Sequence, residues 1–150
     1  MVKLEDLPPK WQKQVKEKLS GKPQPKIMTK PRAQHDPGRM NKLESRFEQE
    51  ILKPALQNGS ISQYKFEPIK LRMAKRTYYS PDFMAVRSND QAILIYEVKG
   101  HWEDDARVKW KTCAELFPEF VFVAVQRLKG CWSYEYYHTE QKPITHGSKN

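Results

Sequence analysis

Residues 92–100 read AILIYEVKG, and we predict that residues 92–99 of this run form the third strand of the fold. Five apolar or aromatic residues in succession, 92–96, are typical of a strand that is buried on both faces of a sheet. Because side chains alternate along a strand, Glu97 and Lys99 project from the same face at its carboxyl end. An acid and an amine in so apolar a setting need a partner or a metal to offset lost hydration. The run therefore predicts a buried charged site.

The apolar spacing around this strand predicts a helix, three strands, a second helix and one or two further strands. Alternation changes parity at Pro68, which indicates a bulge or an edge strand. A helix between two strands indicates a crossover, so we expect an α/β fold with a mixed central sheet flanked by helices. The predicted elements are Asn41–Gln57, Ile61–Met73, Thr77–Val86, Ala92–Lys99, Asp104–Phe117, Phe120–Gln126 and Cys131–His138.

Charge and proline divide the 150 residues unevenly. Residues 1–40 hold 10 Lys or Arg against 4 Asp or Glu and six of the 11 prolines, and the whole chain carries a net charge of +9. We expect a basic, proline-rich N-terminal arm over 1–40, a domain over 41–140 and a flexible tail over 141–150. A basic arm binds phosphate backbones without sequence preference, although it can also be a solubilising tail.

Within the arm, Trp11, Val15 and Leu19 recur at four-residue intervals after two prolines, which predicts a short amphipathic helix. From Gly21 to Met40 we expect an irregular linker.

Several protein classes are disfavoured by composition. No stretch approaches the roughly 20 apolar residues that span a bilayer. Residues 1–10 are charged and contain two prolines, unlike a secretory signal. Two cysteines are too few for a disulfide scaffold or a structural zinc site. We expect an intracellular protein of the cytoplasm with no membrane partner.

A second motif, Ser80-Pro81-Asp82-Phe83, lies on the strand before AILIYEVKG. Asp82 can supply a second carboxylate beside Glu97. Two carboxylates with a backbone carbonyl and waters form an oxygen site suited to Mg²⁺. Such a metal polarises a phosphate oxygen and lowers the pKa of bound water, while Lys99 orients that water or stabilises developing negative charge.

Pro81-Asp82, then Glu97-x-Lys99, after a helix that carries Glu44, resembles the PD-(D/E)xK nuclease superfamily over residues 41–126. The resemblance implies a restriction-endonuclease-like core with the order αβββαβ. It also implies Mg²⁺-dependent hydrolysis of DNA phosphodiester bonds by water, leaving a 5′-phosphate, with Mn²⁺ able to substitute.

A closer resemblance follows the lysine. The run Gly100-His-Trp-Glu-Asp-Asp-Ala-Arg107 is similar to the segment after the catalytic lysine in the phage endonuclease I family, which resolves four-way DNA junctions. Asn41-Lys42-Leu43-Glu44 is similar to that family's first helix start. The resemblance implies an endonuclease specific for branched DNA, a homodimer with two active sites, and an origin in a phage or mobile element.

Carried over by this resemblance, Asp82 and Glu97 are metal-binding carboxylates and the carbonyl of Val98 is a third ligand. Lys99 is the catalytic lysine, and Glu44 holds a second metal or a metal-bound water. Other roles stay open for the same residues. Glu44 can complete a capping box three residues after the N-cap, Asp82 can be a turn residue, and Glu97 with Lys99 can be an ordinary ion pair.

Basic side chains near these motifs are candidate contacts to the DNA backbone. One cluster directly precedes the Asp82 motif, and the other follows Lys99. The candidates are Lys70, Arg72, Lys75, Arg76, His101, Arg107, Lys109 and Lys111.

Two other functions compete with a nuclease. A non-catalytic nucleic-acid-binding module would use the basic arm and the aromatic run CWSYEYYH, 131–138. The other alternative is a phage-encoded protein that inhibits a host enzyme, and no residue pattern favours it.

Overall fold

A computed structural model describes residues 3–21 and 37–137. The chain divides into two compact units, Met1–Gln34 and His35–Asn150. In the first unit a 3-10 turn, Leu4–Asp6, precedes helix α1, Pro9–Leu19, so the helix predicted from apolar spacing is present. Proline suits the first position of a helix because the amide hydrogen that it lacks would have no partner there.

Two predicted segments fall on residues that the structure does not describe. The predicted linker from Gly21 to Met40 lies outside the described residues except at its two ends, and the predicted tail over 141–150 lies outside them entirely.

The second unit begins with a nearly continuous helix and continues through seven strands and one further helix. We name its elements in chain order, and call Glu48–Leu52 the π turn. They are α2 (Lys42–Phe47), the π turn (Glu48–Leu52), α3 (Lys53–Gln57), β1 (Ile61–Phe66), β2 (Leu71–Ala74), β3 (Thr77–Tyr79), β4 (Phe83–Arg87), β5 (Ile93–Lys99), α4 (Asp104–Leu116), β6 (Val121–Leu128) and β7 (Cys131–Tyr136).

Five strands form the main sheet, in the order β1-β4-β5-β6-β7. Strands β5 and β6 are parallel and are joined through α4, whereas the other neighbours are antiparallel. The predicted α/β class, with a mixed sheet and helices, is therefore confirmed. The apolar run 92–96 lies at the centre of this sheet, with Leu94, Ile95 and Tyr96 inaccessible to solvent.

The sequence prediction of one strand over Ile61–Met73 is wrong. Strand β1 ends at Phe66, and the chain leaves the main sheet through Glu67, whose φ is 42°, and Pro68, which lacks an amide hydrogen for pairing. Residues 71–74 then form β2, which pairs with β3 in a separate two-stranded sheet. The expectation that an edge strand lies here is confirmed, since β1 is at one edge of the main sheet.

The predicted strand Thr77–Val86 is also divided. Strand β3 ends at Tyr79 and β4 starts at Phe83, because Pro81 cannot donate to a neighbouring strand. The two strands belong to different sheets. Residues 71–79 therefore form a hairpin, which we call the β2–β3 hairpin, inserted between two strands of the main sheet.

The first predicted helix, Asn41–Gln57, is present with one irregularity. Residues Glu48–Leu52 form the wider π turn, and the amide of Lys53 donates to the carbonyl of Glu48. The π turn ends two residues before Pro54, whose ring would collide with the carbonyl four residues earlier in a regular α-helix.

The main sheet is covered on both faces. On one face, Phe47, Leu52 and Ala55 from the first helical segment pack with β4, β5 and β6. On the other, Trp110, Cys113 and Ala114 of α4 pack with Leu71 and Tyr79 of the β2–β3 hairpin and with the sheet. Strand β5 contributes to both cores, which explains its continuous apolar run.

Among the described residues, no helix combines the length and apolar character needed to cross a membrane.

Phe47 is the aromatic centre of the first core, and its replacement tests that core. Its ring lies 5.8 Å from Phe83, 5.4 Å from Tyr96 and 5.2 Å from Trp132, and it is fully buried. We expect Phe47→Ala to lower the free energy of unfolding by about 3–5 kcal/mol in urea titrations. Leu116→Ala, at a half-exposed position of α4, is the control and should cost less than about 0.5 kcal/mol. Equal effects would contradict this assignment.

Candidate active site

Asp82 lies where β4 and β5 stop pairing. Pairing between these strands runs from Val86↔Ile93 to Phe83↔Tyr96. The amide of Asp82 then donates to the carbonyl of Tyr96 at 3.1 Å, and its Oδ2 accepts the amide of Val98 at 2.6 Å. The Asp82 carboxylate thus accepts the hydrogen bond that a main-chain carbonyl would accept if the strand pairing continued. Because the amide and carbonyl of one strand residue point to the same side, the Val98 carbonyl faces this edge too.

Glu97 and Lys99 lie on one face of β5, as the alternation predicts. The Lys99 Nζ is 2.7 Å from Oε1 of Glu97. The other oxygen, Oε2, accepts a hydrogen bond from the hydroxyl of Tyr79 at 2.5 Å. Glu97 is only 7% exposed, so it is held between two donors in a setting largely shielded from water.

Glu44 completes the capping box that its sequence position suggested, and its side chain is buried. Its Oε2 accepts the amide of Asn41 at 2.8 Å, and the Asn41 side chain accepts the amides of Leu43 and Glu44, which completes a capping box. It is also buried, at 2% exposure, and its charge acts on both Asp82 and Lys99. The helix cap therefore places a third carboxylate beside the pair on β5.

The electrostatics of this cluster are dominated by burial. Burial raises the pKa of Asp82 well above its ordinary value; the charge of Glu97 raises it further, and that of Lys99 opposes the shift. For Lys99, burial lowers the pKa, but the charges of Glu97 and Asp82 outweigh it, so the pKa lies above its ordinary value. Asp82 and Glu97 therefore repel each other, and Lys99 attracts both.

The donor set fits a hard divalent cation in its chemistry. Among residues 3–21 and 37–137, no three His, Cys, Asp or Glu side chains converge as a formed metal site. However, two buried carboxylates and a carbonyl at one strand end are oxygen donors of the kind that Mg²⁺ prefers. A divalent cation would also offset the repulsion between Asp82 and Glu97. Asp82, Glu97 and the Val98 carbonyl are the groups that could hold it.

The predicted DNA contacts fall into two groups. Four lie on or beside the β2–β3 hairpin and are exposed. His101, Lys109 and Lys111 are exposed after β5 and on α4, whereas Arg107 lies over the rings of Trp102 and Trp110, at 5.1 and 5.6 Å, and pairs with Glu135. Arg107 is thus engaged in packing. The exposed hairpin residues are Lys70, Arg72, Lys75 and Arg76.

The sequence analysis assigned no role to two polar residues of this region. Tyr79 donates to Glu97 from the inner face of the hairpin, and burial raises its pKa well above the ordinary value. Gln126, which lies beside Lys99 across the parallel pairing, donates to the carbonyl of Gly100 at 3.1 Å. The position of Tyr79 three residues before Asp82 could have drawn attention to it. Its hydrogen bond to Glu97, however, depends on how the hairpin packs against the main sheet.

The hydrogen bond from Tyr79 can be tested against its neighbour Tyr78, which is 48% exposed. We expect Tyr79→Phe to lower the free energy of unfolding by about 1.5–3 kcal/mol, because a buried carboxylate loses a donor. Tyr78→Phe, the matched control, should change it by less than about 0.5 kcal/mol. Urea unfolding of both variants measures the difference, and equal values would contradict the role given to Tyr79.

Asp82 is expected to oppose folding when no cation is bound. Its pKa is higher in the folded chain than the ordinary 3.8, so its contribution to stability is lost as pH rises from that value toward the folded pKa. Asn keeps an acceptor for Val98 without the charge. We therefore expect Asp82→Asn to raise Tm at pH 7 in EDTA, by about 4 °C for each 1 kcal/mol gained.

The same melting curves include a metal arm. Mg²⁺ at ten times its Kd should stabilise the unchanged protein by about 1.4 kcal/mol and stabilise Asp82→Asn less. A variant that melts below the unchanged protein in EDTA would contradict the charge argument, and equal responses to Mg²⁺ would contradict the metal assignment.

Comparison of the chain with models of protein families, with curated proteins and with solved structures finds no match. The proposal of a function therefore depends on the residues of this site and on the chemistry that their arrangement allows.

Proposed function

We propose that the protein is a metal-dependent DNA endonuclease with a PD-(D/E)xK-type active site. One observation carries the proposal: Asp82, Glu97 and Lys99 lie together at the point where β4 and β5 separate, in a buried setting, with Glu44 close enough to act on them. Burying the Asp82 carboxylate beside an ion pair that already contains Glu97 costs hydration that one lysine does not return. Such clusters of perturbed groups are typical of functional sites.

The order of elements supports a restriction-endonuclease-like core. With the β2–β3 hairpin set aside as an insertion, the chain runs α2, β1, β4, β5, α4 and β6. This is the order αβββαβ that the sequence resemblance implies. In that arrangement the Asp motif opens the second core strand and the Glu-x-Lys motif closes the third, so both reach one site.

The chain's own residues have distinct tasks in the proposed reaction. A bound Mg²⁺, or Mn²⁺ in its place, would supply Lewis-acid polarisation of the phosphate and a more acidic water. Asp82 and Glu97 hold the site's negative charge, and Tyr79 fixes the Glu97 carboxylate. Lys99 has a raised pKa and stays protonated at neutral pH, so it suits stabilising negative charge on the phosphate better than accepting a proton.

In the proposed hydrolysis, a water oxygen loses a proton and forms a bond to phosphorus while the bond to the 3′ oxygen breaks. The departing oxygen takes a proton, and the products are a 3′-hydroxyl and a 5′-phosphate. The resemblance implies this outcome.

Branched DNA is the substrate that we propose. The net charge of +9 favours binding to a phosphate backbone. Recognition of DNA by shape and charge needs no separate base-reading domain. Symmetric cutting of a four-way junction requires two active sites, so a homodimer on DNA in the cytoplasm belongs to this proposal, as does an origin in a phage or mobile element.

A non-catalytic nucleic-acid-binding module is the second candidate. The observation that favours it is the 2.7 Å contact between Lys99 and Glu97, since an ion pair of that kind can also be structural. The two candidates differ in whether loss of the Asp82 carboxylate removes an activity.

Cleavage assays with one charged residue of the site replaced at a time test the nuclease. We expect Mg²⁺-dependent cutting of a labelled four-way junction in preference to linear duplex or single strand. Asp82→Asn and Lys99→Gln should each lower the rate by at least about 10²-fold, because each removes a charge at the reacting phosphate. Glu119→Gln, at an exposed acid, is the matched control and should keep full activity.

Two outcomes would overturn parts of this proposal. If neither Mg²⁺ nor Mn²⁺ supports cutting while a mobility shift persists, the binding module replaces the nuclease. If junction DNA is cut but sizing gives only monomer on that DNA, the resolvase version fails and the nuclease stands.

A further inference from the structure

The two faces of the β2–β3 hairpin have opposite chemistry. Leu71 pairs with Tyr79, and both are buried against α4 and the main sheet. The next pair across the strands is Arg72 with Tyr78, and both are exposed. Because successive side chains point to opposite faces of a strand, the hairpin has an inner face that is tied to the active site and a free outer face.

The outer face is strongly cationic. Residues 68–81 contain four basic residues and no acid. Lys75 and Arg76 form the turn between the strands, and Arg76 has a φ of 60°. None of the four cations, which include Lys70 and Arg72, forms an ion pair with a described residue. A phosphate backbone is the partner that such a face fits.

Tyr78 adds an aromatic ring to this cationic face. It is 48% exposed, and within the part of the chain that the structure describes its hydroxyl has no hydrogen bond and its ring has no contact with another ring. An exposed ring among cations is typical of surfaces that bind single-stranded nucleic acid, where bases stack on the ring and the cations meet the phosphates. A fully paired duplex keeps its bases stacked on one another and offers the ring no partner.

We propose that the outer face of the β2–β3 hairpin binds an unpaired stretch of DNA, with Tyr78 stacked on a base and the cations on neighbouring phosphates. This inference rests on the proposed nuclease function and ranks branched DNA with a single-stranded segment beside the cleaved bond above a fully paired four-way junction. Tyr78 is four residues from Asp82, so their Cα atoms lie within about 14 Å of each other. A strand held by the hairpin therefore reaches the site.

Binding measured in EDTA separates this inference from catalysis. Fluorescence anisotropy with a labelled single strand, a duplex with a single-stranded flap and a blunt duplex compares the full chain with Tyr78→Ala and Tyr78→Phe. We expect Tyr78→Ala to weaken binding to the single strand and the flap about tenfold, with less than about twofold change on the blunt duplex. Tyr78→Phe keeps the stacking ring and should bind like the unchanged protein.

Charge variants test the phosphate contacts independently. Arg76→Gln should lower the slope of log K against log salt by about 0.7 on single-stranded DNA, whereas Tyr78→Ala should leave that slope unchanged. Melting curves of all variants verify folding, which substitutions on an exposed face should not alter.

Equal loss on the blunt duplex and the single strand, or no loss with Tyr78→Ala, would overturn the inference. If the expected binding differences appear but Mg²⁺ supports no cutting, the nuclease proposal fails and the hairpin assignment stands. If the unchanged protein cuts junction DNA and Tyr78→Ala binds every substrate as tightly, only the hairpin assignment fails.

Discussion

The hydrogen bond from the Val98 amide to Asp82 Oδ2, at 2.6 Å, is the contact on which the site depends. A paired strand would place a main-chain carbonyl there, but Pro81 stops the pairing and a carboxylate takes its place. The Asp82 carboxylate thus gives the Val98 amide a hydrogen-bond partner and places an acidic group beside the buried strand β5. Without this hydrogen bond, the Asp82 carboxylate would not be held beside Glu97 and the Val98 carbonyl.

The rest of the fold holds this unfavourable group in place. One core is built around Phe47 and the other around Trp110, and β5 is packed between them. A rigid scaffold of this kind can tolerate uncompensated charge at one strand end because its stability comes from apolar burial elsewhere. The raised pKa of Asp82, caused first by burial, marks the free energy that the folded chain loses there. We interpret that loss of stability as a sign that the site binds a ligand.

Local features of the site could be predicted from sequence, and long-range features could not. Alternation alone places Glu97 and Lys99 on one face, and the spacing of Asn41 and Glu44 gives the helix cap, because both depend on neighbouring residues only. The contact between Tyr79 and Glu97 depends on how the β2–β3 hairpin packs, which no local pattern encodes. The same limit explains why the predicted strands 61–73 and 77–86 are wrong. Pro68 and Pro81 mark where each one breaks, but no local pattern predicts that residues 71–79 form a second sheet.

The insertion of the hairpin between β1 and β4 has an evolutionary consequence. It shares no hydrogen-bonded strand pairing with the main sheet, so its length and its outward residues can drift without disturbing the pairing of the core. Its inward residues cannot, since Leu71 fills a core and Tyr79 holds Glu97. Selection can therefore act on the outward-facing positions of the hairpin, which would contact a ligand, independently of the inward-facing positions, which support the core and Glu97.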